Sequence, residues 1–172
     1  MLATFGGAGL APVAPGTFGA AAGVAVFWWL HPAGWPALLA ATFLVSVAGV
    51  WAASRAEALY ARADDGRVVV DEVAGQLLAL APLWPAGSAG DSRGAFFAWV
   101  VTAFVAFRVF DIAKPGPVGW AERRFEGGVG VMADDWIAGL LAAVVLAALR
   151  LVALQQGELR WAALPAGIGG AA

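Results

Sequence analysis

The chain has 172 residues, of which 62% are hydrophobic and 13% are charged, and its net charge is −2. About a quarter of the residues of a soluble domain are charged, so a chain this apolar cannot cover a water-facing surface. We therefore expect an integral membrane protein. The length predicts one domain, over residues 1–172. The slight negative charge argues against a nucleic-acid partner, which requires a basic face. The sequence has no cysteine and only one histidine, His31, which excludes a thiolate nucleophile and a histidine-cluster metal site.

The first 16 residues are rich in glycine and proline and carry no charged side chain. Pro12 and Pro15 resist helix formation, and the glycines permit tight turns. Thr17 is therefore interpreted as the N-cap of a first apolar helix, which ends near Leu30. No basic segment with a cleavage site precedes this helix, so no removable signal peptide is expected.

Four further apolar runs follow along the chain, at about 35–53, 68–84, 95–113 and 136–154. About 20 apolar residues are needed to span roughly 30 Å of hydrocarbon as a helix. The run 68–84 is short for this and begins near two carboxylates, so it is either a helix whose first turn lies at the interface or a re-entrant element. The prediction is an all-α bundle of about four to five apolar helices, with the motif-bearing part at about 5–150 and a tail of little signal at 155–172.

The segments between the runs are polar or break helices. Residues 54–67 are polar, 86–94 form a Gly/Ser loop, and Lys114 followed by proline ends the fourth run, because a residue before proline avoids the α region. Several tryptophans fall near expected helix ends, where an aromatic belt is typical of membrane proteins: Trp35, Trp84 and Trp136.

The expected topology places the polar pieces on one side of the membrane. If all five runs cross, the N-terminus, the loop 54–67 and the loop 114–135 share a side. Their basic residues are Arg55, Arg62, Arg67, Lys114, Arg123 and Arg124, whereas the opposite loops hold only Arg93. Cytoplasmic loops carry the excess of Lys and Arg, so the shared side is predicted to be cytoplasmic. His31 falls on the far side.

Five carboxylates lie close to this predicted face: Asp71, Glu72, Asp111, Asp134 and Asp135. Unpaired, they would repel one another, and a divalent cation would relieve that repulsion. Ligation by oxygen alone favours Mg²⁺, Mn²⁺ or Ca²⁺. The alternative is that each acid is a solvated residue at a helix end, which is about as probable as ligation for Asp134 and Asp135 but weaker for Asp111, because the dipole at a helix C-terminus disfavours an anion.

Basic and glycine-rich elements accompany the acids. Arg108, Asp111 and Lys114 are three residues apart, so they share a helix face. They form either an intrahelical salt-bridge ladder or a phosphate clamp, and both can hold at once. The entry loop that ends in Gly16 and Thr17 precedes a helix N-terminus, where backbone N–H groups can hold an anion, although a simple turn with an N-cap explains it equally well.

A cation held by oxygen ligands beside anion-binding groups at a membrane face predicts phosphoryl chemistry on a lipid headgroup. Two other classes remain as alternatives. A cation transporter also uses intramembrane carboxylates, but its ion path should place acids at mid-depth and on both sides. A non-catalytic membrane subunit would instead use the polar loops to bind a soluble partner.

Four motifs, in order, resemble those of the bacterial phosphatidylglycerophosphatase A family. They are G-A-G-L-A-P-V-A-P-G-T-F-G at 7–19, V-D-E-V-A-G at 70–75, F-R-V-F-D-I-A-K-P-G-P at 107–117 and G-G-V-G-V-M-A-D-D-W-I-A-G at 127–139. The resemblance extends from about Gly7 to Ala143. It implies a Mg²⁺-dependent enzyme of the cytoplasmic membrane, with several helices crossing the bilayer and an active site facing the cytoplasm, that removes the terminal phosphate of phosphatidylglycerophosphate to give phosphatidylglycerol.

The resemblance places functional residues at eight positions of this chain: Thr17, Asp71, Glu72, Arg108, Asp111, Lys114, Asp134 and Asp135. From the chemistry of these side chains we predict that Asp71, Glu72 and Asp111 act in catalysis and that most metal ligands come from these three with Asp134 and Asp135. Arg108, Lys114, Thr17 and Gly16 would bind the substrate phosphate. Family members often have serine where Ala11 and Ala20 stand, which leaves Thr17 as the nearby hydroxyl. The resemblance does not address the oligomeric state.

Overall fold

The structure, a computed structural model, describes residues 1–60, 66–83 and 93–162. Within these ranges it contains six α-helices and no strand, which confirms the all-α prediction. The helices are α1 (Pro15–Leu30), α2 (Trp35–Tyr60), α3 (Val70–Leu80), α4 (Arg93–Ala113), α5 (Pro117–Arg124) and α6 (Gly127–Ala162). Short 3-10 turns lie at Phe5–Leu10, His31–Ala33 and Ala81–Leu83.

Helix α3 lies at the centre of the bundle and packs against α1, α2, α4 and α6. Of its 11 residues, all but Glu72 and Leu78 are buried. A helix that is apolar nearly all round is buried in this way because no face of it favours solvent or lipid. The first turn of α3 carries Asp71 and Glu72, so the central position of this helix sets the position of the acids.

Three helices are long and apolar enough to span a bilayer, over Trp35–Ala56, Arg93–Ala113 and Gly127–Gln156. Large apolar side chains such as Phe43, Leu44 and Val144 are more than 60% exposed on their outer surfaces. Because exposed apolar surface of this kind is stable in hydrocarbon and not in water, the structure agrees with the predicted membrane bundle.

The long helices alternate in direction between the two ends of the bundle. At one end, the His31 ring lies 5.2 Å from the ring of Phe96, which joins the end of α1 to the start of α4. Leu83, which follows α3, belongs to the same apolar cluster as Phe96. Helix α3 therefore runs from the acidic end toward the His31 end, although its 11 residues cover only about 17 Å at 1.5 Å per residue.

The start of α1 differs from the prediction. The helix begins at Pro15, and its N-cap residue is Ala14, which has a left-handed backbone (φ 49°) and no side-chain cap. Thr17 lies inside the first turn, where its N–H donates to the Ala14 carbonyl at 2.9 Å. The N-cap interpretation of Thr17 was wrong because proline suits the first helical position, where its fixed φ is helical and no N–H is needed.

The chain between Lys114 and Trp136 is also more helical than predicted. Residues Pro117–Arg124 form α5, and α6 starts at Gly127 rather than at Trp136. Asp134 and Asp135 therefore lie within a helix and not before one. The Trp136 indole donates to the Ser46 hydroxyl at 3.1 Å, so this tryptophan joins α6 to α2. Trp84 and most of the predicted loop 86–94 lie outside the described residues.

Helices α3 and α6 touch through their backbones. A Cβ on Gly139 would collide with the Gly75 carbonyl, and a Cβ on Gly75 would lie 2.6 Å from the Asp135 carbonyl oxygen. Small residues allow this close approach of helices in lipid. The contact brings the start of α3 against the third turn of α6, and thus the acids of both helices together.

We predict that Gly139→Val destabilises the fold, because the new side chain meets backbone atoms that cannot rotate away. The free energy of unfolding should fall by about 1–3 kcal/mol or more, the usual cost of overpacking. Thermal unfolding in detergent measures this. Ala148→Val, at an exposed position of the same helix, is the matched control, and an equal loss in the two variants would contradict the packing account.

Candidate active site

A cavity of about 840 Å³ opens at the acidic end of the bundle, between α1, α3, α4, α5 and α6. Eight of the nine residues predicted for the site line it: Gly16, Asp71, Glu72, Arg108, Asp111, Lys114, Asp134 and Asp135. Thr17 does not line it. The helices that carry these residues are far apart in sequence, so their convergence on one cavity agrees with the one-sided topology.

Asp71, Glu72 and Asp135 form the tightest group of acids, and we call these three the carboxylate cluster. Each offers one carboxylate oxygen, and these oxygens all lie within 4.8 Å of one another. Asp71 and Asp135 are 9% and 3% exposed. The first turn of α3 supplies two members and α6 supplies the third, held in place by the contact between Gly75 and Gly139.

The carboxylate cluster fits a hard divalent cation. Three like charges this close and this poorly solvated repel one another strongly, and a positive ion between them would offset that repulsion. The donors are all oxygen, which suits Mg²⁺ better than zinc. In addition, Glu72 Oε2 is buried without a hydrogen-bond partner in the described structure, so it has lone pairs to offer a ligand.

The other two predicted ligands have cationic partners. Asp111 pairs with Arg108 one turn earlier on α4, and Asp134 Oδ2 lies 2.9 Å from Lys114 Nζ. The structure thus separates the neighbours Asp134 and Asp135, because successive helical residues point about 100° apart. Asp135 turns toward α3, and Asp134 turns toward the end of α4.

Lys114 leaves the helix that precedes it, because its backbone is left-handed (φ 44°). Its ammonium lies 2.6 Å from Glu122 Oε1 on α5, in addition to Asp134. Burial lowers the pKa of Lys114, but the hydrogen bonds and charges of Glu122 and Asp134 outweigh this and raise the pKa above its ordinary value. Lys114 therefore stays a cation, and it joins α5 to α6 instead of extending the ladder of Arg108 and Asp111.

Arg108 lies where α4 meets the start of α1. A Cβ on Gly16 would be 3.1 Å from Arg108 Nη1 and would collide with Glu72 Oε1, so the absence of a side chain at Gly16 makes room for both groups. Arg108 Nε is buried without a hydrogen-bond partner among the described residues. A planar guanidinium with a free donor, facing a cavity, is suited to bind an anion such as phosphate.

Glu122 is an ionic partner in the site that the sequence interpretation missed. Its helix is short and was taken for a loop. The available signal was Pro117 after Gly116, since proline favours the first helical position.

The chain matches known proteins over most of its length. The family model described as phosphatidylglycerophosphatase A matches residues 1–150. A protein of Bacteroides thetaiotaomicron, whose name proposes a phosphatidylinositol-3-phosphatase, is 38% identical over 160 residues, which cover 88% of this chain and 93% of that protein. No solved structure gives a significant match.

Two relatives carry the family name itself. Phosphatidylglycerophosphatase A of Escherichia coli (strain K12) is 33% identical over 147 residues, covering 85% of this chain and 80% of the relative. Phosphatidylglycerophosphatase A of Haemophilus influenzae is 33% identical over 151 residues, covering 87% of each. Both matches agree with the resemblance that the four motifs indicated.

Proposed function

The chain belongs to the phosphatidylglycerophosphatase A family, a family of phosphoric monoester hydrolases, and from this premise we propose its reaction. It hydrolyses the terminal phosphate monoester of phosphatidylglycerophosphate and releases phosphatidylglycerol and inorganic phosphate, in a Mg²⁺-dependent reaction. The observation that carries the proposal is the carboxylate cluster, with oxygens within 4.8 Å of one another, in one cavity with Arg108 and Lys114.

The names of the relatives differ in substrate but share one chemistry, a phosphate monoester on a phospholipid headgroup. The family model and two of the three relatives name phosphatidylglycerophosphate, and one relative names a phosphoinositide. We therefore assign phosphatidylglycerophosphate as the substrate. An apolar bundle with a polar cavity at its end suits such a lipid, since the acyl chains remain in the bilayer while the phosphate enters the cavity.

In this mechanism Asp71, Glu72 and Asp135 would hold the Mg²⁺. When bound, Mg²⁺ supplies positive charge to the phosphate oxygens and makes water a better nucleophile. Arg108 binds and orients the phosphate through its guanidinium, which lines the cavity, and Lys114 adds a second positive charge at the cavity wall. Water attacks phosphorus, and Glu72 Oε1, which points toward the cavity, accepts the proton of the water. The bond from phosphorus to the glycerol oxygen breaks, and that oxygen takes up a proton from solvent water in the open cavity, so that phosphatidylglycerol leaves as the alcohol.

We further propose that the cavity faces the cytoplasm, in the bacterial inner membrane. Basic residues at the cavity end support this, because the positive-inside rule places them in the cytoplasm. Those described by the structure are Arg55, Arg67, Lys114, Arg123 and Arg124. Arg62, which was counted with them, lies outside the described residues.

Phosphate release from a panel of lipids tests the substrate assignment. Purified protein in detergent with Mg²⁺ should release phosphate from phosphatidylglycerophosphate with a kcat/KM at least about tenfold above that for phosphatidylinositol 3-phosphate or phosphatidate, a difference of about 1.4 kcal/mol in transition-state stabilisation. Equal or faster release from the phosphoinositide would overturn the assignment. Folded protein that releases phosphate from none of these lipids would overturn the phosphatase proposal itself.

A further inference from the structure

Gln76 is a polar side chain buried in the apolar centre of the bundle. It is 0% exposed, and neither its amide nitrogen nor its amide oxygen has a hydrogen-bond partner within the described structure. A buried amide without hydrogen-bond partners lowers the stability of the folded state. Leucine would fill a similar space without this free-energy cost. The presence of glutamine at this position therefore indicates a role beyond packing.

The position of Gln76 links it to the active site. It lies four residues after Glu72 on α3, and residues four apart are neighbours on one helix face, with Cβ atoms about 5–6 Å apart. Both face α1. A Cβ on Gly19 would lie 3.2 Å from the Glu72 Cβ, and a Cβ on Gly23 would lie 2.9 Å from the Gln76 Cβ. The two side chains therefore share the groove between α1 and α3, with Gln76 one turn deeper.

The two oxygens of Glu72 differ in their surroundings. Oε1 points toward Gly16 and Arg108 at the cavity. Oε2 is buried without a partner, and so is the Gln76 amide one turn below it. An amide N–H is a donor and a carboxylate oxygen an acceptor, so the two unpartnered groups complement each other. The separation of one helical turn suits a direct hydrogen bond after a small rotamer change, or one bridging water.

We propose that Gln76 is a positioning residue for Glu72. Its amide N–H holds the inner side of the Glu72 carboxylate, directly or through one buried water, and so fixes the orientation in which that carboxylate serves the metal and the reaction. The expected effect on kcat rests on the proposed phosphatase function. The expected effect on metal binding does not depend on that function. Hydrogen bonds from such outer partners orient metal-binding carboxylates in other proteins.

The test replaces the amide by apolar side chains of similar size, in Gln76→Met and Gln76→Leu. Three quantities are measured on purified protein in detergent: kcat and KM for phosphatidylglycerophosphate, the Kd of Mn²⁺ alone by electron paramagnetic resonance, and the Tm without metal. Loss of an outer hydrogen bond to a metal ligand typically costs about 10–100-fold in affinity or activity, so we expect kcat to fall and the Kd of Mn²⁺ to rise by at least about tenfold. KM should change by less than about twofold, because Gln76 does not line the cavity.

The metal-free Tm separates this role from a structural one. If Gln76 acts on Glu72, the apolar variants lose that hydrogen bond but also remove a buried amide oxygen without a partner in the described structure, so the two effects oppose each other and the Tm should stay near that of wild type. Thr42→Val, which removes a buried hydroxyl from α2, is the matched control and should leave kcat and the Kd of Mn²⁺ unchanged. A Gln76→Met protein whose kcat and Mn²⁺ affinity both stay within twofold of wild type would overturn the proposal.

Two further outcomes also decide the matter. If both Gln76 variants unfold at a much lower temperature while their Mn²⁺ affinity stays at the wild-type value, the role is structural and the proposal fails. If the wild-type protein releases no phosphate from any lipid, the proposed function fails. In that case a tenfold loss of Mn²⁺ affinity in Gln76→Met would still support the positioning of Glu72, so the two failures remain distinguishable.

Discussion

Asp71→Asn is expected to lower kcat at least about 100-fold, equivalent to about 2.7 kcal/mol of transition-state stabilisation. Asp71 is a buried member of the carboxylate cluster, and its replacement removes one negative charge from the group that would hold the cation. Asparagine has nearly the same shape, so the effect arises from charge and not from a cavity. Steady-state phosphate release from phosphatidylglycerophosphate with saturating Mg²⁺ measures it.

The neighbours Asp134 and Asp135 provide the matched comparison for this prediction. Asp135→Asn should be as damaging as Asp71→Asn, because Asp135 belongs to the carboxylate cluster. Asp134→Asn should be milder, since Asp134 pairs with Lys114 outside the cluster. Neither cluster variant should lower the Tm, because removing one of several close like charges relieves repulsion. Turnover near the wild-type rate in folded Asp71→Asn would contradict the metal-site account.

Arg108→Leu is expected to lower kcat/KM about 100-fold. The variant removes the guanidinium that faces the cavity, and it also leaves Asp111 without its partner on α4. Truncating one member of a buried, hydrogen-bonded charge pair costs about 2–5 kcal/mol, and part of this loss should appear as weaker binding of the substrate phosphate and thus a higher KM. Initial rates over a range of lipid concentrations in mixed micelles separate KM from kcat.

Arg108→Lys and Arg124→Gln complete this test. Lysine keeps the charge but lacks the planar pair of donors, so Arg108→Lys should recover only part of the lost kcat/KM. Arg124 is an exposed arginine of α5 that does not line the cavity, and Arg124→Gln should leave the kinetics near wild type. If Arg124→Gln were as slow as Arg108→Leu, the effect would reflect surface charge in general and not a phosphate-binding role of Arg108.

The apolar runs were sufficient to predict most of the fold. Each long run became a helix, and the alternation of runs placed the acids at one end of the bundle because the hydrocarbon width fixes where each helix turns. The start of α6 was misplaced. Gly127 and Gly130 were taken as loop residues, whereas tertiary packing overrides the weak helix propensity of glycine.

The site was predictable as a set of residues but not as a geometry. Sequence patterns indicated five acids without distinguishing the three whose carboxylate oxygens all lie within 4.8 Å of one another. That distinction depends on the backbone contact between Gly75 and Gly139, which sets how closely α3 and α6 approach. The sequence interpretation did not identify Gln76 for a related reason. Whether its amide has hydrogen-bond partners can be judged only when the packing of α1 against α3 is known.

The most direct test of the central claim is phosphate release from phosphatidylglycerophosphate by the purified wild-type protein, first with Mg²⁺, then with excess EDTA, and then after Mg²⁺ is restored. A carboxylate cluster that works through a bound divalent cation predicts release with Mg²⁺, loss to the background rate with EDTA and recovery on re-addition. Release that continues unchanged in EDTA would contradict the claim, because the three acids would then act without the cation that their arrangement fits.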